Sequence, residues 1–214
     1  MKYAYILWDL DGTLTDPALG ITNAVMYALR HYGIDVQDRR ELYPFIGPPL
    51  TDSFEKYFHF THEQAVEAVE QYRVYFRDIG LFENTVYPGI PALLQALTDA
   101  GATLILATSK PTVFAERILE HFGLRPFFHL VCGSELNGER VEKADVIRFA
   151  LQKAAITDTS RAVMVGDRCF DVEGAAACGL SAIGVSYGYG NAQELSGALA
   201  VADSVDALHT LLLS

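Results

Sequence analysis

The sequence is poor in cysteine and in positive charge, and it has no long hydrophobic run. Its three cysteines, Cys132, Cys169 and Cys178, are odd in number and form no C-x-x-C pair, which argues against a disulfide framework and a thiolate zinc site. Lys and Arg number 16 against 27 Asp and Glu, a formal net charge of −11. Nucleic-acid polymers and anionic lipid surfaces are bound through basic patches, so neither nucleic acid nor membrane is expected as a partner. The first apolar run, residues 3–8, meets Asp9 at once. It is too short for a signal-peptide core or a membrane span, and a cytoplasmic protein is expected. Repeats, low-complexity tracts and long linkers are also missing. What is present is a chain of 214 residues, 50 % hydrophobic and 11 % aromatic. That suffices for one generous packed core, with or without a small second unit.

Short apolar runs at 3–8, 102–107, 129–132, 162–165 and 182–185 read as buried strands,. Between the later ones lie helix-period segments at 90–100, 112–122, 143–155 and 171–178, several closing on glycine (Gly101, Gly123, Gly179),. Strand–helix alternation of this kind predicts an α/β fold with a parallel sheet covered on both faces. Residues 17–86 differ. One apolar stripe (Ile21, Val25, Ala28, Leu29) and another (Ala65, Val69, Tyr72, Phe76) have helical spacing, so a helical insert after the first strand is expected. Tyr27, Tyr43, Phe45 and Phe54 in this insert can stack on a base or simply form its core. His59 and His62 are spaced H-x-x-H but lack the Glu and third ligand of a zinc helix,.

Asp9-Leu10-Asp11-Gly12-Thr13-Leu14-Thr15-Asp16 falls where the first strand should end, and ligands of parallel sheets gather at strand carboxyl ends. Asp9 and Asp11, two apart, can converge on one point as extended chain opens into a loop. Carboxylates so placed repel unless a hard cation such as Mg²⁺ lies between them or one holds a proton. Asp16, before Pro17, reads as a cap on the next helix. Asp167 and Asp171 follow another strand and, four apart, would share a face if the helix begins at the loop,; Asp171 also suits a helix N-terminus. Thr108-Ser109-Lys110-Pro111 brings hydroxyls and an ammonium to a third strand end, where a helix start can bind phosphate,. Lys143 sits at a helix start, where a cation opposes the dipole and calls for an anionic partner.

Taken in order, Asp9-x-Asp11-Gly12-Thr13-Leu14-x-Asp16, Thr108-Ser109, Lys143 and Gly166-Asp167-x-x-x-Asp171 resemble the motifs of the haloacid dehalogenase superfamily of phosphohydrolases. The resemblance implies a Rossmann-like core, residues 1–16 and 87–214, with a small helical cap domain at 17–86. It implies Asp9 as nucleophile, Asp11 as acid and base, and Thr108 and Lys143 on the transferring phosphoryl oxygens. Mg²⁺ would be held by Asp9, the Asp11 backbone carbonyl, Asp167 and Asp171. Gly12, Ser109 and Lys110, with Gly47 and Pro48 of the cap, would bind substrate. The segments Ile46-Gly47-Pro48-Pro49-Leu50 and Ala107-Thr108-Ser109-Lys110-Pro111 are similar to the subgroup of 5′-nucleotidases and phosphoglycolate phosphatases. A phosphomonoesterase acting on a small phosphorylated metabolite is therefore expected, as a monomer or homodimer. A β-phosphoglucomutase-like phosphotransferase and, from another class, a phosphoacceptor signalling domain are the alternatives. Dehalogenation attacks carbon and has no use for the acid at Asp11. Cys169, inside the last motif, is either a redox-sensitive thiol or a small packing residue.

Overall fold

The computed structural model describes residues 2–213. Strand β1 (Tyr5–Trp8) is followed by the two-residue strand β2 (Thr15–Asp16). The chain then turns helical through α1 (Ala18–His31), a 3-10 segment (Arg39–Phe45), α2 (Leu50–Phe58), α3 (His62–Tyr75) and a π-helical turn (Phe76–Gly80). After β3 (Thr85–Val86), which pairs with β2, strands and helices alternate: α4 (Ile90–Asp99), β4 (Thr103–Pro111), α5 (Thr112–His121), β5 (Phe128–Ser134), α6 (Lys143–Lys153), β6 (Ala162–Gly166), α7 (Cys169–Ala177) and β7 (Ser181–Val185). β8 (Ala200–Ala202) and α8 (Val205–Leu213) complete the described chain. Contacts divide it into two compact units, residues 2–15 with 86–213, and residues 16–85.

The larger unit is built on a six-stranded sheet in the order β5-β4-β1-β6-β7-β8, every pairing parallel. Leu7, Ile105 and Met164 point into one cluster with Val146, Ile147 and Ala150 of α6 and Val172 and Ala175 of α7. Ile6, Trp8, Leu104 and Val163 alternate with them and are equally removed from water. Both faces are thus covered, which is why these strands are apolar throughout. All five expected strands form, and Gly101, Gly123 and Gly179 take left-handed φ just past their helices. β8 was not expected, because Ala-Val-Ala carries too little signal to distinguish a strand from a loop. The topology matters for function. From β1 the sheet grows toward β4, whereas from β6 it grows toward β7, so the connections of these neighbours diverge and leave a crevice at their carboxyl ends,. Asp9 and Asp167 are the next residues after those two strands.

The smaller unit is helical. Asp16 Oδ1 accepts a hydrogen bond from Ala18 N–H (3.0 Å), the capping role expected of it,. The stripe Ile21, Val25, Ala28 and Leu29 is buried, as are Ala65, Val69, Tyr72 and Phe76. α3 opens on a reciprocal capping box between Thr61 and Gln64,. Phe54 is fully buried, its ring 5.0 Å from Phe45 and stacked at 5.8 Å on Phe60. Phe45 and Phe54 are therefore core, while Tyr27 is 41 % exposed and packs beside Tyr75. Phe54→Ala should destabilise the protein by about 3–5 kcal/mol in urea unfolding, the usual cost of emptying an aromatic core site. A loss under about 1 kcal/mol would contradict that packing role. No helix among the described residues is long and apolar enough to cross a membrane.

Candidate active site

Asp9 continues β1 by one residue, its N–H donating to Val165 O of β6 (2.9 Å). The chain then closes a tight loop: the N–H groups of Thr13, Leu14 and Thr15 all turn toward Leu10 O, and Gly12, with φ 79°, donates to Thr15 O at 2.8 Å. This loop buries Asp9 and Asp11 and gives each carboxylate its own lysine. Asp9 Oδ1 accepts from Lys143 Nζ at 2.7 Å, and Asp11 Oδ2 pairs with Lys110 Nζ at 2.8 Å. Burial raises the Asp11 pKa, with Lys110 offsetting part of the effect and the Asp9 charge adding to it,. Asp11 Oδ1 is buried and has no hydrogen-bond partner.

Lys110 reaches Asp11 because β4 runs on past the expected end at residue 107. Its register with β5 shifts between Ala107 and Pro111, and residues 108–110 bulge out of the ladder,. Within the bulge Thr108 is buried and its Oγ1 accepts from Lys110 N–H at 3.2 Å. Half-buried Ser109 is anchored through its carbonyl by Ser134 Oγ at 2.7 Å.

Lys143 is the first residue of α6, and the anions that offset its unfavourable place at a helix start are Asp9 and Asp171 (Nζ to Asp171 Oδ1, 2.8 Å),. It also donates to Ala107 O at 3.1 Å. Burial acts to lower its pKa, but the Asp171 and Asp9 carboxylates outweigh burial and raise it, holding the ammonium charged.

α7 begins only at Cys169, so Asp167 and Asp171 do not share a helix face as the four-residue spacing suggested. The β6–α7 loop joins them instead. Asp171, in the first turn of α7, accepts from Arg168 N–H through Oδ2 (3.1 Å) while its other oxygen faces Lys143, so the capping role and the site role coexist. Asp167 is fully buried and accepts from Tyr189 N–H (2.7 Å) and, at 3.5 Å, from the Thr13 hydroxyl.

Asp9, Asp167 and Asp171 each offer one carboxylate oxygen, all within 4.8 Å of one another. Burial raises both Asp167 and Asp171; burial first, and then the Asp171 and Asp9 charges, hold Asp167 well above the ordinary range, and Lys143 only partly relieves Asp171. Three clustered buried carboxylates, two of them on one ammonium, are short of positive charge, and an all-oxygen donor set in that state suits a hard divalent cation,. The Asp11 carboxylate, engaged by Lys110, lies outside this group of three. His59 and His62 form no such group: His62 pairs with Glu55 (2.9 Å), and His59 terminates α2 in a left-handed conformation. Gly47 and Pro48 form the turn before α2 in the helical unit. Burial and then the Glu194 and Glu173 charges raise the Cys169 thiol, the reverse of what a reactive thiolate needs,.

The segment Tyr187-Gly188-Tyr189-Gly190, which gives Asp167 a 2.7 Å hydrogen bond, is not among the site residues expected from the motifs. Its signal, a Tyr-Gly repeat just past the last long strand, was visible but carried no recognisable donor chemistry.

The profile described as haloacid dehalogenase-like hydrolase matches residues 6–185, a span that holds Asp9, Asp11, Thr108, Lys110, Lys143, Asp167 and Asp171 and ends just before Tyr187. The chain belongs to that family. A 5′-nucleotidase of Pseudomonas aeruginosa is 47 % identical over 195 residues, covering 91 % of this chain and 88 % of that protein. The tyrosine-protein kinase PtkA of Mycobacterium tuberculosis is 40 % identical over 187 residues, which is 87 % of this chain but 63 % of that one. Among solved structures, a predicted phosphatase from Clostridium acetobutylicum superposes with a TM-score of 0.96 at 49 % identity, over 100 % of this chain and 99 % of that one. The expected family and α/β architecture are borne out, and the protein is a hydrolase of the family's phosphatase type.

Proposed function

We propose that the protein hydrolyses small phosphomonoesters through a phosphorylated Asp9, with nucleoside 5′-monophosphates or phosphoglycolate as the substrate class. The observation that carries this reading is Lys143, whose ammonium binds both Asp9, the residue after β1, and Asp171, in the first turn of α7, in one buried cluster. The Asp9 carboxylate attacks phosphorus in line; the new O–P bond forms as the ester P–O bond breaks. Asp11 gives its proton to the leaving oxygen, then takes one from the water that cleaves the aspartyl-phosphate. Its unpartnered Oδ1 is the atom available for both transfers, while Lys110 fixes Oδ2. Lys143, through its charge, and Thr108, through its hydroxyl, bind the transferring oxygens, with Gly12 and Ser109 lining the same loops. Asp9, Asp167 and Asp171, with the Asp11 carbonyl, would hold Mg²⁺, which when bound screens the carboxylates so that one anion can approach another.

Chelation is the direct test. In EDTA, release of phosphate from p-nitrophenyl phosphate should fall to background and return with Mg²⁺. Mg²⁺ at about 100 times its Kd should also raise unfolding stability by about 2.7 kcal/mol. Undiminished turnover in EDTA would overturn the proposal, as would failure to hydrolyse nucleoside monophosphates, phosphoglycolate and sugar phosphates alike. The relation to PtkA favours a second reading, in which the phosphoryl group passes from Asp9 to a hydroxyl acceptor instead of water. Product analysis separates the two, since only hydrolysis liberates inorganic phosphate in step with substrate loss.

A further inference from the structure

We infer that the segment Tyr187-Gly188-Tyr189-Gly190 is a positioning strap that sets the orientation of the Asp167 carboxylate and thereby the affinity of the site for its divalent cation. The inference rests on the proposed role of Asp167 as a ligand and extends it to residues that act on the cation through Asp167.

The strap holds Asp167 from one side while the Asp9–Thr15 loop holds it from the other. Tyr189 N–H fixes Oδ2 at 2.7 Å, and the Thr13 hydroxyl reaches Oδ1 at 3.5 Å. Tyr187 ties the two holders together: its hydroxyl donates to Thr13 O at 3.0 Å, and its ring packs edge-on against Tyr87 at 5.0 Å. The glycines are required by the closeness of approach. A Cβ at Gly188 would lie 2.3 Å from Gly12 O and 2.5 Å from both Asp167 Cβ and Oδ2. One at Gly190 would lie 1.8 Å from Asp167 O. Beyond the strap, Glu194 accepts from Arg168 Nε (2.8 Å) and Asn191 Nδ2 (3.1 Å), which pins the following turn to the β6–α7 loop. The Asp167 carboxylate is therefore held at both oxygens, and the backbone that follows it is tied to the turn beyond the strap. Outer contacts of this kind commonly change metal affinity by about 10- to 100-fold when disturbed.

The test is isothermal titration of the metal-free protein with Mg²⁺, a readout independent of turnover. Gly188→Ala should raise the Mg²⁺ Kd about tenfold or more, and Tyr187→Phe, which removes one hydroxyl and little volume, should shift it the same way. In steady-state assays both should need correspondingly more Mg²⁺ for half-maximal rate, with KM for p-nitrophenyl phosphate unchanged at saturating Mg²⁺. Should Gly188→Ala fail to fold, Tyr187→Phe decides. Asp167→Asn separates the inference from the reading beneath it. If Asp167→Asn abolishes Mg²⁺ binding while both strap variants bind within twofold of the parent protein, the strap role is wrong and the ligand role stands. If Asp167→Asn binds Mg²⁺ like the parent protein, both fail.

Discussion

Asp9→Asn is expected to lower kcat for p-nitrophenyl phosphate by at least about four orders of magnitude at saturating Mg²⁺. An amide has nearly the shape of a carboxylate but no anionic oxygen to attack phosphorus, so chemistry is lost while packing is kept. The fold should survive. Lys143 retains Asp171 at 2.8 Å and Ala107 O at 3.1 Å, and the Asp9 N–H still donates to Val165 O. One buried negative charge also disappears from a cluster already short of cations, which relieves Asp167 and Asp171. The thermal midpoint should therefore stay close to that of the parent protein, and the two measurements together separate a dead nucleophile from an unfolded enzyme. Activity within about a hundredfold of the parent would remove Asp9 from the nucleophile's role.

The parts of the fold that could be read in the sequence are those where burial and local periodicity agree. The parallel strands are apolar on both faces because both faces are covered, and Leu7 and Trp8, pointing opposite ways from β1, are both fully buried. The stripes of α1 and α3 were legible for the same reason. β8, with three residues and two alanines, was not, and the extension of β4 past Ala107 was hidden because bulged residues obey no period,.

In the site, proximity along the chain was legible and proximity through space was not. Asp9 and Asp11 could be placed at a strand end from their spacing, but that each has a different lysine depends on Lys110 and Lys143 arriving from other strand connections. The spacing of Asp167 and Asp171 suggested one helix face, yet the helix starts two residues after Asp167 and the loop does the work of bringing them together. Tyr187 and Tyr189 act on Thr13 and Asp167 through one hydroxyl and one backbone N–H. Neither interaction leaves a mark in residue type beyond the flanking glycines.

Lys143→Met tests how far the site depends on its single central ammonium. Lys143 and Asp171 are 5 % and 1 % exposed, and methionine fills the lysine stem's space without its charge. Removing one member of a buried ion pair leaves the other uncompensated, at a cost of about 3–5 kcal/mol. Here two carboxylates, Asp9 and Asp171, lose their partner at once. Burial already keeps the Asp171 pKa raised against the pull of Lys143, so the pair offsets only part of the desolvation cost and little reserve remains. The metal-free variant should lose about that amount of stability in urea. Mg²⁺ should restore a share of it by supplying charge to the same carboxylates. Turnover should not recover with it: Lys143 is assigned to the transferring oxygens, and losing such a donor costs about 10²- to 10³-fold in kcat. Lys143→Arg should remain impaired as well, because a planar guanidinium cannot occupy the point where Asp9 Oδ1, Asp171 Oδ1 and Ala107 O converge within 2.7–3.1 Å of one nitrogen,. Stability within about 1 kcal/mol of the parent in EDTA would show that the carboxylates do not depend on this lysine.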